Sequence, residues 1–254
     1  MRKWVIFPVL LAIVAHTGCG KSTIRSSSSG SPKKAPTSHT LSTKRTSSYA
    51  PKGSGWKRAR GVYHRVKPGE TLWRICKTYG VDMQEVAEIN DISDLSKIPA
   101  GRRIFIPGAK RVLKVDPKRV FGSKGRKKIS LQKGKFLWPV RGEISSRFGV
   151  RDKRMHNGID IRASKGRSVR AAQAGRVTYA GSLRGYGKIV VIQHADDYST
   201  VYAHLGRFSV KRGHSVKKGA VIGRVGDSGN ASGPHLHFEV RLRGRPRNPM
   251  FYLP

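Results

Sequence analysis

Residues 234–242 read Pro-His-Leu-His-Phe-Glu-Val-Arg-Leu, and this stretch indicates the fold of the C-terminal part of the chain. Polar and apolar residues alternate along it, as in a β-strand with one face in a hydrophobic core. The apolar face carries Leu236, Phe238, Val240 and Leu242. The opposite face carries His235, His237, Glu239 and Arg241. Two imidazoles therefore stand about 7 Å apart on one face of one strand.

Similar short segments surround this strand. Residues 176–180, 188–194 and 200–205 are rich in β-branched and aromatic residues, and glycines separate them. Between residues 135 and 254 the apolar spacing of a long helix does not occur. We predict a mainly antiparallel β domain over residues 135–254, which is large enough to bury a stable core.

Two further segments add polar residues to the histidine pair. Residues 156–161 read His-Asn-Gly-Ile-Asp-Ile, and alternation places Asp160 on the face away from the two isoleucines. In residues 200–205 it places Val201, Ala203 and Leu205 on one face and His204 on the other. Five side chains are therefore expected to gather at one cleft: His156, Asp160, His204, His235 and His237. The remaining histidines of the domain, His194 and His214, are expected to be structural or solvated.

Such a set suits a catalytic metal. A catalytic zinc site needs three nitrogen or oxygen ligands and an open fourth position, and further imidazoles can move protons. The spacing of the five residues does not by itself decide which three are ligands.

Longer motifs contain or accompany these residues. They include Phe-Gly-x-Arg at 148–151, Met-His-Asn-Gly-Ile-Asp-Ile at 155–161, Gly-Tyr-Gly at 185–187 and Ser-Gly-Pro-His-Leu-His at 232–237. Together they resemble the M23 family of zinc peptidases, with a lysostaphin-like fold, over residues 135–254. The resemblance implies that Zn²⁺ is bound by His156, Asp160 and His237. It implies that His204 and His235 act on water and on the transition state, and that the substrate is a peptide of bacterial peptidoglycan.

Residues 62–108 indicate a second, smaller module. The pattern predicts a strand, two helices and a strand, with Thr71 and Asp82 as helix N-caps and Gly80 as a helix stop. The stretches Val-Lys-Pro-Gly-Glu-Thr-Leu-Trp-Arg-Ile at 66–75 and Ile-Pro-Ala-Gly-Arg-Arg-Ile-Phe-Ile-Pro at 98–107 resemble the LysM domain. The fold class is thus multi-domain, a small α+β LysM module plus a mainly antiparallel β domain.

The LysM resemblance implies binding to N-acetylglucosamine-containing glycans such as peptidoglycan. The implied groove is formed by Gly69, Glu70 and Thr71 together with residues 92–98. Seven basic and six acidic residues lie in 62–108, and this balance suits a neutral sugar. Trp73 is expected in the core rather than stacked on sugar, since it lies inside a helix, and Cys76 is expected to be a small buried apolar residue.

The N-terminus resembles a bacterial lipoprotein signal. Basic Arg2 and Lys3 precede a short apolar run, which is followed by Gly18 and Cys19. We predict a signal peptide over residues 1–18 and lipidation of Cys19, the alternative being a secreted protein with a free Cys19. The predicted location is the cell envelope, with a lipid anchor at the periplasmic face of the outer membrane, or secreted.

The charge is concentrated outside the predicted domains. The chain has 254 residues, 52 of them Lys or Arg and 14 Asp or Glu, for a net charge of +38. The net charge is +12 for residues 1–61 and +9 for residues 109–134, compared with +1 for residues 62–108 and +16 for residues 135–254. We read residues 19–61 as a basic Ser/Thr-rich tether and 109–134 as a basic linker. Neither has a DNA-docking pattern, so the charge favours anionic wall polymers or headgroups over nucleic acid.

Two functions follow from the resemblances. The first is a zinc endopeptidase that cleaves peptidoglycan peptides while LysM holds glycan and a lipid anchor holds the membrane. The alternative is a non-enzymatic activator of a cell-wall amidase, since such activators share this domain order. The five intact residues favour the enzyme, because loss of ligands is the physical mark of a pseudo-enzyme.

Overall fold

The computed structural model describes residues 59–95, 98–116 and 128–254, all of which belong to one compact unit, Ser47–Pro254. The predicted signal peptide, Cys19 and all but the end of the predicted tether lie outside the described residues, as does the middle of the predicted linker. In the described part of the chain, no helix combines the length and apolar character needed to cross a membrane.

The N-terminal module has the predicted order of strand, helix, helix and strand. Its elements are β1 (Gly61–Arg65), α1 (Leu72–Tyr79), α2 (Met83–Ile89) and β2 (Arg103–Pro107). The predicted caps are confirmed, because Thr71 and Asp82 each accept a hydrogen bond from an amide in the first turn of α1 and α2. Gly80 ends α1 in the left-handed conformation, with φ of 66°.

Both strands and both helices of this module contribute to one hydrophobic core. β1 and β2 pair antiparallel, with Tyr63 opposite Phe105. Fully buried members of the core include Leu72, Ile75, Val86, Ala87, Ile104 and Ile106. A module this small relies on such a core for its own stability.

The C-terminal domain consists of twelve short strands in the described residues. They are β3 (Glu143–Ser146), β4 (Gly149–Arg151), β5 (Arg154–His156), β6 (Ile159–Arg162), β7 (Ser168–Arg170), β8 (Gly175–Leu183), β9 (Gly187–Gln193), β10 (Tyr198–Phe208), β11 (Ser215–Val216), β12 (Val221–Val225), β13 (His235–Leu242) and β14 (Arg245–Arg247). A 3-10 helix at Pro249–Phe251 follows them.

These strands form one large antiparallel sheet and one separate hairpin. The main order is β11-β8-β9-β10-β13-β6-β3, β12 joins β10 to β7, and β14 pairs with β13. β4 and β5 pair only with each other. The two modules together confirm the predicted fold class.

β13 lies inside the sheet, and both of its faces are covered. Leu236, Phe238 and Val240 belong to the main hydrophobic core, as the alternation predicts. On the opposite face of the sheet lies a second apolar cluster, which consists of Tyr186, Ile189, Val191, Val201 and Ala203. The polar face of β13 therefore adjoins apolar side chains instead of open solvent, and its polar groups need partners within the protein.

The LysM module docks on the C-terminal domain through α2. The buried carboxylate of Glu88 accepts two hydrogen bonds from the Arg247 guanidinium, at 2.6 and 2.8 Å, and one from the Asn248 amide at 3.1 Å. Gly149 in β4 lies so close to α2 that a Cβ there would stand 2.4 Å from the carbonyl oxygen of Ile89. A fully partnered buried acid and a close backbone approach fix how the two modules meet.

Candidate metal centre and active site

Strand register brings the central polar residues side by side. β13 pairs with β6 so that His237 lies opposite Asp160 and His235 lies opposite Arg162. Directly opposed residues share a face of the sheet, which places these four side chains together. His156 ends β5, four residues before Asp160, and is fully buried beside them.

Three donor atoms of this group converge on one point. His156 Nε2 lies 3.2 Å from both Asp160 Oδ1 and His237 Nδ1, and the last two atoms are 2.8 Å apart. Donors about 2.0–2.1 Å from a tetrahedral zinc ion are separated by about 3.4 Å. The observed spacing is close to this value, so the group could hold a metal ion.

Hydrogen bonds fix the orientation of both imidazoles. His156 Nδ1 lies 2.7 Å from the Arg147 carbonyl oxygen, which only accepts, so Nδ1 carries the proton and Nε2 keeps its lone pair. His237 Nε2 lies 3.1 Å from Glu239 Oε1 and donates to it, which leaves Nδ1 for a metal. A carboxylate behind a ligating histidine is a recurrent arrangement in metal sites.

Glu239 belongs to a buried network that sequence reasoning did not find. Its side chain is fully buried, forms an ion pair with Arg241, and accepts from the Tyr186 hydroxyl at 2.7 Å. Alternation along β13 put Glu239 and Arg241 on the histidine face and gave them no role. The sequence could have predicted a contact between Glu239 and His237, because the two residues are two positions apart and therefore lie on the same face of the strand.

The prediction that Val201, Ala203 and Leu205 share one face is wrong. Val201 and Ala203 belong to the second apolar cluster, whereas Leu205 belongs to the main core. The cause is a β-bulge, because the pairing of β10 with β9 shifts register beside His204, which has φ of 57°. His204 consequently lies near the ring of His237, at 5.9 Å between ring centroids, and not on the face away from Ala203.

His204 and His235 form a second imidazole pair next to the three donors. Their ring centroids are 4.7 Å apart, and His235 Nε2 lies 3.9 Å from Asp160 Oδ1. His204 Nδ1 donates to the Ser228 carbonyl at 2.7 Å, and His235 Nδ1 donates to the Gly233 carbonyl at 2.8 Å. Both Nε2 atoms therefore carry lone pairs and can accept a proton.

Burial and hydrogen bonding shift the pKa values of these groups in different directions. Burial lowers the pKa of His156 and lowers that of His204 to about 4. Burial opposes the charge on Asp160, but hydrogen bonds from His156 and His237 outweigh it and hold the pKa of this carboxyl well below its usual range. Burial also disfavours a charged His237, yet hydrogen bonds to Asp160 and Glu239 raise its pKa to about 9. A metal ion at this site would have to displace a proton from His237.

The two other histidines of the domain lie elsewhere. His194 is nearly buried, with Nδ1 2.8 Å from the Ala174 carbonyl and Nε2 2.7 Å from the Thr200 hydroxyl. His214 is exposed in a turn between β10 and β11. His194 is therefore a structural histidine and His214 a solvated one, as predicted.

In the LysM module, Glu70 of the predicted glycan loop is buried, whereas Gly69 and Thr71 are exposed. The Glu70 carboxylate points inward and accepts from His64 Nε2 at 2.8 Å and from the Lys67 amide at 2.9 Å. Thr71 caps α1, and Gly69 adopts φ of 78° in the turn. The other predicted loop, 92–98, is described except for residues 96 and 97.

The remaining two residues singled out in this module pack inside it. Trp73 is partly buried against the module core. Cys76 is buried, and burial raises the pKa of its thiol to about 12, so it is not a thiolate at neutral pH.

Two family models match the chain. The model of peptidase family M23 matches residues 154–249, and the LysM domain model matches residues 64–107. Both matches fall on the modules described above and confirm the two resemblances.

One curated relative matches across most of the chain. The uncharacterized lipoprotein YgeR of Escherichia coli is 34% identical over 209 residues, 76% of this chain and 82% of the relative. The chain belongs to the M23 family and also carries a LysM domain.

Two further relatives match over shorter stretches. The DD-carboxypeptidase/endopeptidase Mpg of Neisseria meningitidis is 45% identical over 131 residues, 48% of this chain and 30% of the relative. The murein hydrolase activator NlpD of Escherichia coli is 43% identical over 118 residues, 46% of this chain and 31% of the relative. The chain thus spans less than a third of the length of these two.

Two solved structures are also similar to part of the chain. The catalytic domain of the prophage-encoded M23 protein EnpA from Enterococcus faecalis is 35% identical, with 44% of this chain and 93% of that chain covered and a TM-score of 0.41. For the catalytic domain of lysostaphin from Staphylococcus simulans the identity is 29%, the coverage 43% and 87%, and the TM-score 0.39.

Proposed function

We propose that this protein is a zinc-dependent endopeptidase that hydrolyses peptide bonds in peptidoglycan cross-links or stem peptides. The observation that carries the proposal is the convergence of His156 Nε2, Asp160 Oδ1 and His237 Nδ1, each within 3.2 Å of the others, beside two further imidazoles. Support also comes from the relative Mpg, whose name describes a DD-carboxypeptidase/endopeptidase.

Zinc fits this donor set better than hard cations do. Two imidazole nitrogens and one carboxylate oxygen are the donor types of catalytic zinc sites, whereas magnesium and calcium prefer all-oxygen sites. When bound, zinc supplies a Lewis acid that polarises a peptide carbonyl and acidifies water.

His204 and His235 are the proposed proton carriers. The Nδ1 hydrogen bonds of His204 and His235 to backbone carbonyls leave each Nε2 free to accept a proton from water. Burial keeps His204 neutral at pH 7, in line with a pKa lowered to about 4. The same groups can then return the proton to the leaving amine and, when protonated, stabilise the developing oxyanion.

The LysM module and the N-terminal segment would hold this site close to peptidoglycan. We propose that the LysM module binds peptidoglycan glycan through the loop of Gly69, Glu70 and Thr71 and the loop 92–98. Because the Glu70 side chain is buried, backbone groups of the first loop would make these contacts. We further propose that a lipid on Cys19 anchors the protein in the cell envelope, and the relative YgeR is named as a lipoprotein.

A second candidate function is activation of a cell-wall amidase. It is favoured by the relative NlpD, a murein hydrolase activator by name, which is 43% identical over 118 residues. In that case the domain would bind an amidase partner and its own five polar residues would be dispensable.

Digestion of purified peptidoglycan separates the two functions. The protein is incubated with zinc, with a chelator, and as the His204→Ala variant, with and without an amidase, and the products are read by mass spectrometry. Peptide ends that require zinc and His204 support the peptidase. Products cut only between glycan and peptide, formed only with amidase and equally with the variant, would establish the activator instead.

A further inference from the structure

The pairing of β10 with β9 is interrupted beside His204. It is regular up to Tyr202 and resumes at Leu205, which leaves one extra residue in β10 at this point. His204 lies within the interruption, with φ of 57°. A positive φ at a residue other than glycine persists only where neighbouring contacts enforce it. Contacts outside the β9–β10 ladder must therefore hold His204 in place.

The connection between β12 and β13 supplies such contacts through Ser228. We call this connection, residues 226–234, the Ser228 loop. The Ser228 hydroxyl donates to the Leu205 carbonyl at 2.7 Å and accepts from the Lys188 amide at 2.8 Å. Leu205 and Lys188 are the opposed pair at which the β9–β10 ladder resumes. One hydroxyl therefore bridges the two strands directly beside His204.

The backbone of Ser228 contacts the imidazole of His204. Its carbonyl oxygen accepts from His204 Nδ1 at 2.7 Å, and a proton on Nδ1 leaves the lone pair on Nε2. The His204 amide donates to the Tyr186 carbonyl at 2.9 Å, so the backbone and the ring are held by two different segments. Because the Ser228 side chain fixes its own backbone against β9 and β10, it also sets where the carbonyl stands relative to the ring.

The Ser228 loop packs so closely on the start of β9 that it has little room to shift as a whole. A Cβ at Gly187 would stand 2.4 Å from the Ser228 carbonyl oxygen, and one at Gly229 would stand 2.3 Å from the Gly187 amide nitrogen. The Asn230 amide also donates to the Gly185 carbonyl at 3.0 Å. These contacts locate the loop, and the Ser228 hydroxyl fixes the orientation of the peptide group that contacts the imidazole.

Building on the proposed peptidase function, we propose that Ser228 is a positioning residue that fixes the tautomer and the orientation of His204. With the hydroxyl present, the Ser228 carbonyl keeps the proton on Nδ1, and Nε2 accepts a proton from water. Without the hydroxyl, the carbonyl is free to turn away, and the imidazole loses the contact that selects this tautomer. A misplacement of about 1 Å in a reacting group can cost about 100-fold in rate.

Three substitutions at Ser228 and one control test this inference. Ser228→Ala removes the hydroxyl, Ser228→Cys keeps the size but hydrogen-bonds weakly, and Ser228→Thr keeps the hydroxyl. Ser209→Ala is the matched control, an exposed serine that follows β10. For each zinc-loaded protein, circular dichroism verifies folding, and ¹⁵N NMR of labelled histidines reads the tautomer of His204, whose signals are those missing from His204→Ala. Zinc affinity is measured by competition with a chelator, and kcat and KM are measured with a soluble peptidoglycan peptide.

We expect a single tautomer, protonated at Nδ1, in the unaltered protein, in Ser228→Thr and in Ser209→Ala. Ser228→Ala should show both tautomers and lower kcat by about 10- to 100-fold, with KM and zinc affinity unchanged. Ser228→Cys should have an intermediate effect, and it decides the question if Ser228→Ala does not fold. An unchanged tautomer in the folded variant, or a changed one with unchanged kcat, overturns the inference. A changed tautomer when even the unaltered protein cleaves nothing supports the positioning role and counts against the proposed catalysis.

Discussion

The contact between Glu239 and His237 yields the sharpest prediction about the metal centre. In a Glu239→Gln variant, the carboxylate that accepts from His237 Nε2 at 3.1 Å becomes a neutral amide. The imidazole becomes less basic and less firmly oriented. Losing such a partner typically weakens metal binding about 10- to 100-fold, or about 1.4–2.7 kcal/mol.

The same substitution disturbs Arg241, so stability must be measured separately. The Glu239 and Arg241 side chains are 0% and 7% exposed, and breaking a buried ion pair from one side costs about 3–5 kcal/mol. Tyr186→Phe provides a milder test, because it removes a donor to Glu239 and leaves the contact with His237 intact. Glu88→Gln is the matched control, a buried glutamate paired with arginine at the LysM contact.

The assay is competition for zinc against a chromophoric chelator at pH 7, with circular dichroism to verify folding. Glu239→Gln should bind zinc at least about tenfold more weakly. Tyr186→Phe should have a smaller effect, and Glu88→Gln should have none. A folded Glu239→Gln protein with unchanged zinc affinity would refute the role given to this carboxylate.

Further substitutions test the zinc ligands, the contact between the modules, a buried histidine and the lipid anchor. His237→Ala should abolish zinc binding, whereas His204→Ala should retain zinc and lose hydrolysis; zinc still present in the His237 variant by elemental analysis would contradict the ligand assignment. Glu88→Ala should lower the free energy of unfolding by about 3–5 kcal/mol, because the partly buried Arg247 guanidinium and the buried Asn248 backbone amide lose this acceptor. An unchanged melting temperature would contradict this docking. Burial lowers the pKa of His194 below its ordinary 6.5, so the unfolded chain binds a proton more readily and stability should fall as the pH drops below about 6.5; His194→Gln should flatten that dependence in urea titrations, and parallel curves would speak against it. Cys19→Ala should release the protein from the membrane fraction, and unchanged association would refute lipidation.

Regular strand geometry made most of the site predictable. The alternation along β13 and β6 placed His237 and Asp160 on the face of each strand away from the core, and the pairing register then set the two residues opposite each other. The core residues that alternate with them in each strand were also predicted correctly. The caps of α1 and α2 were also predictable, because they depend on contacts within one turn.

Features that break regularity were not predictable in the same way. The bulge at His204 requires a positive φ at a residue other than glycine, and alternation assumes that no such break occurs. The burial of Glu239 and the docking of Glu88 on Arg247 depend on elements distant in sequence, which local pattern does not encode. The glutamate at position 70 likewise points inward, where His64 and the Lys67 amide both donate to its Oε2.

The proposed function requires that the five polar residues hydrolyse a peptide bond. Its most direct test is incubation of purified peptidoglycan with the zinc-loaded protein in ¹⁸O-labelled water, followed by mass spectrometry of the released peptides. Hydrolysis breaks the amide bond and leaves the water oxygen on the new carboxyl group and the protons on the new amine. We predict one ¹⁸O at a new peptide carboxyl with the unaltered protein and none with chelator or with His204→Ala. Label-free peptides from the unaltered protein, with glycan binding intact, would contradict the proposed function.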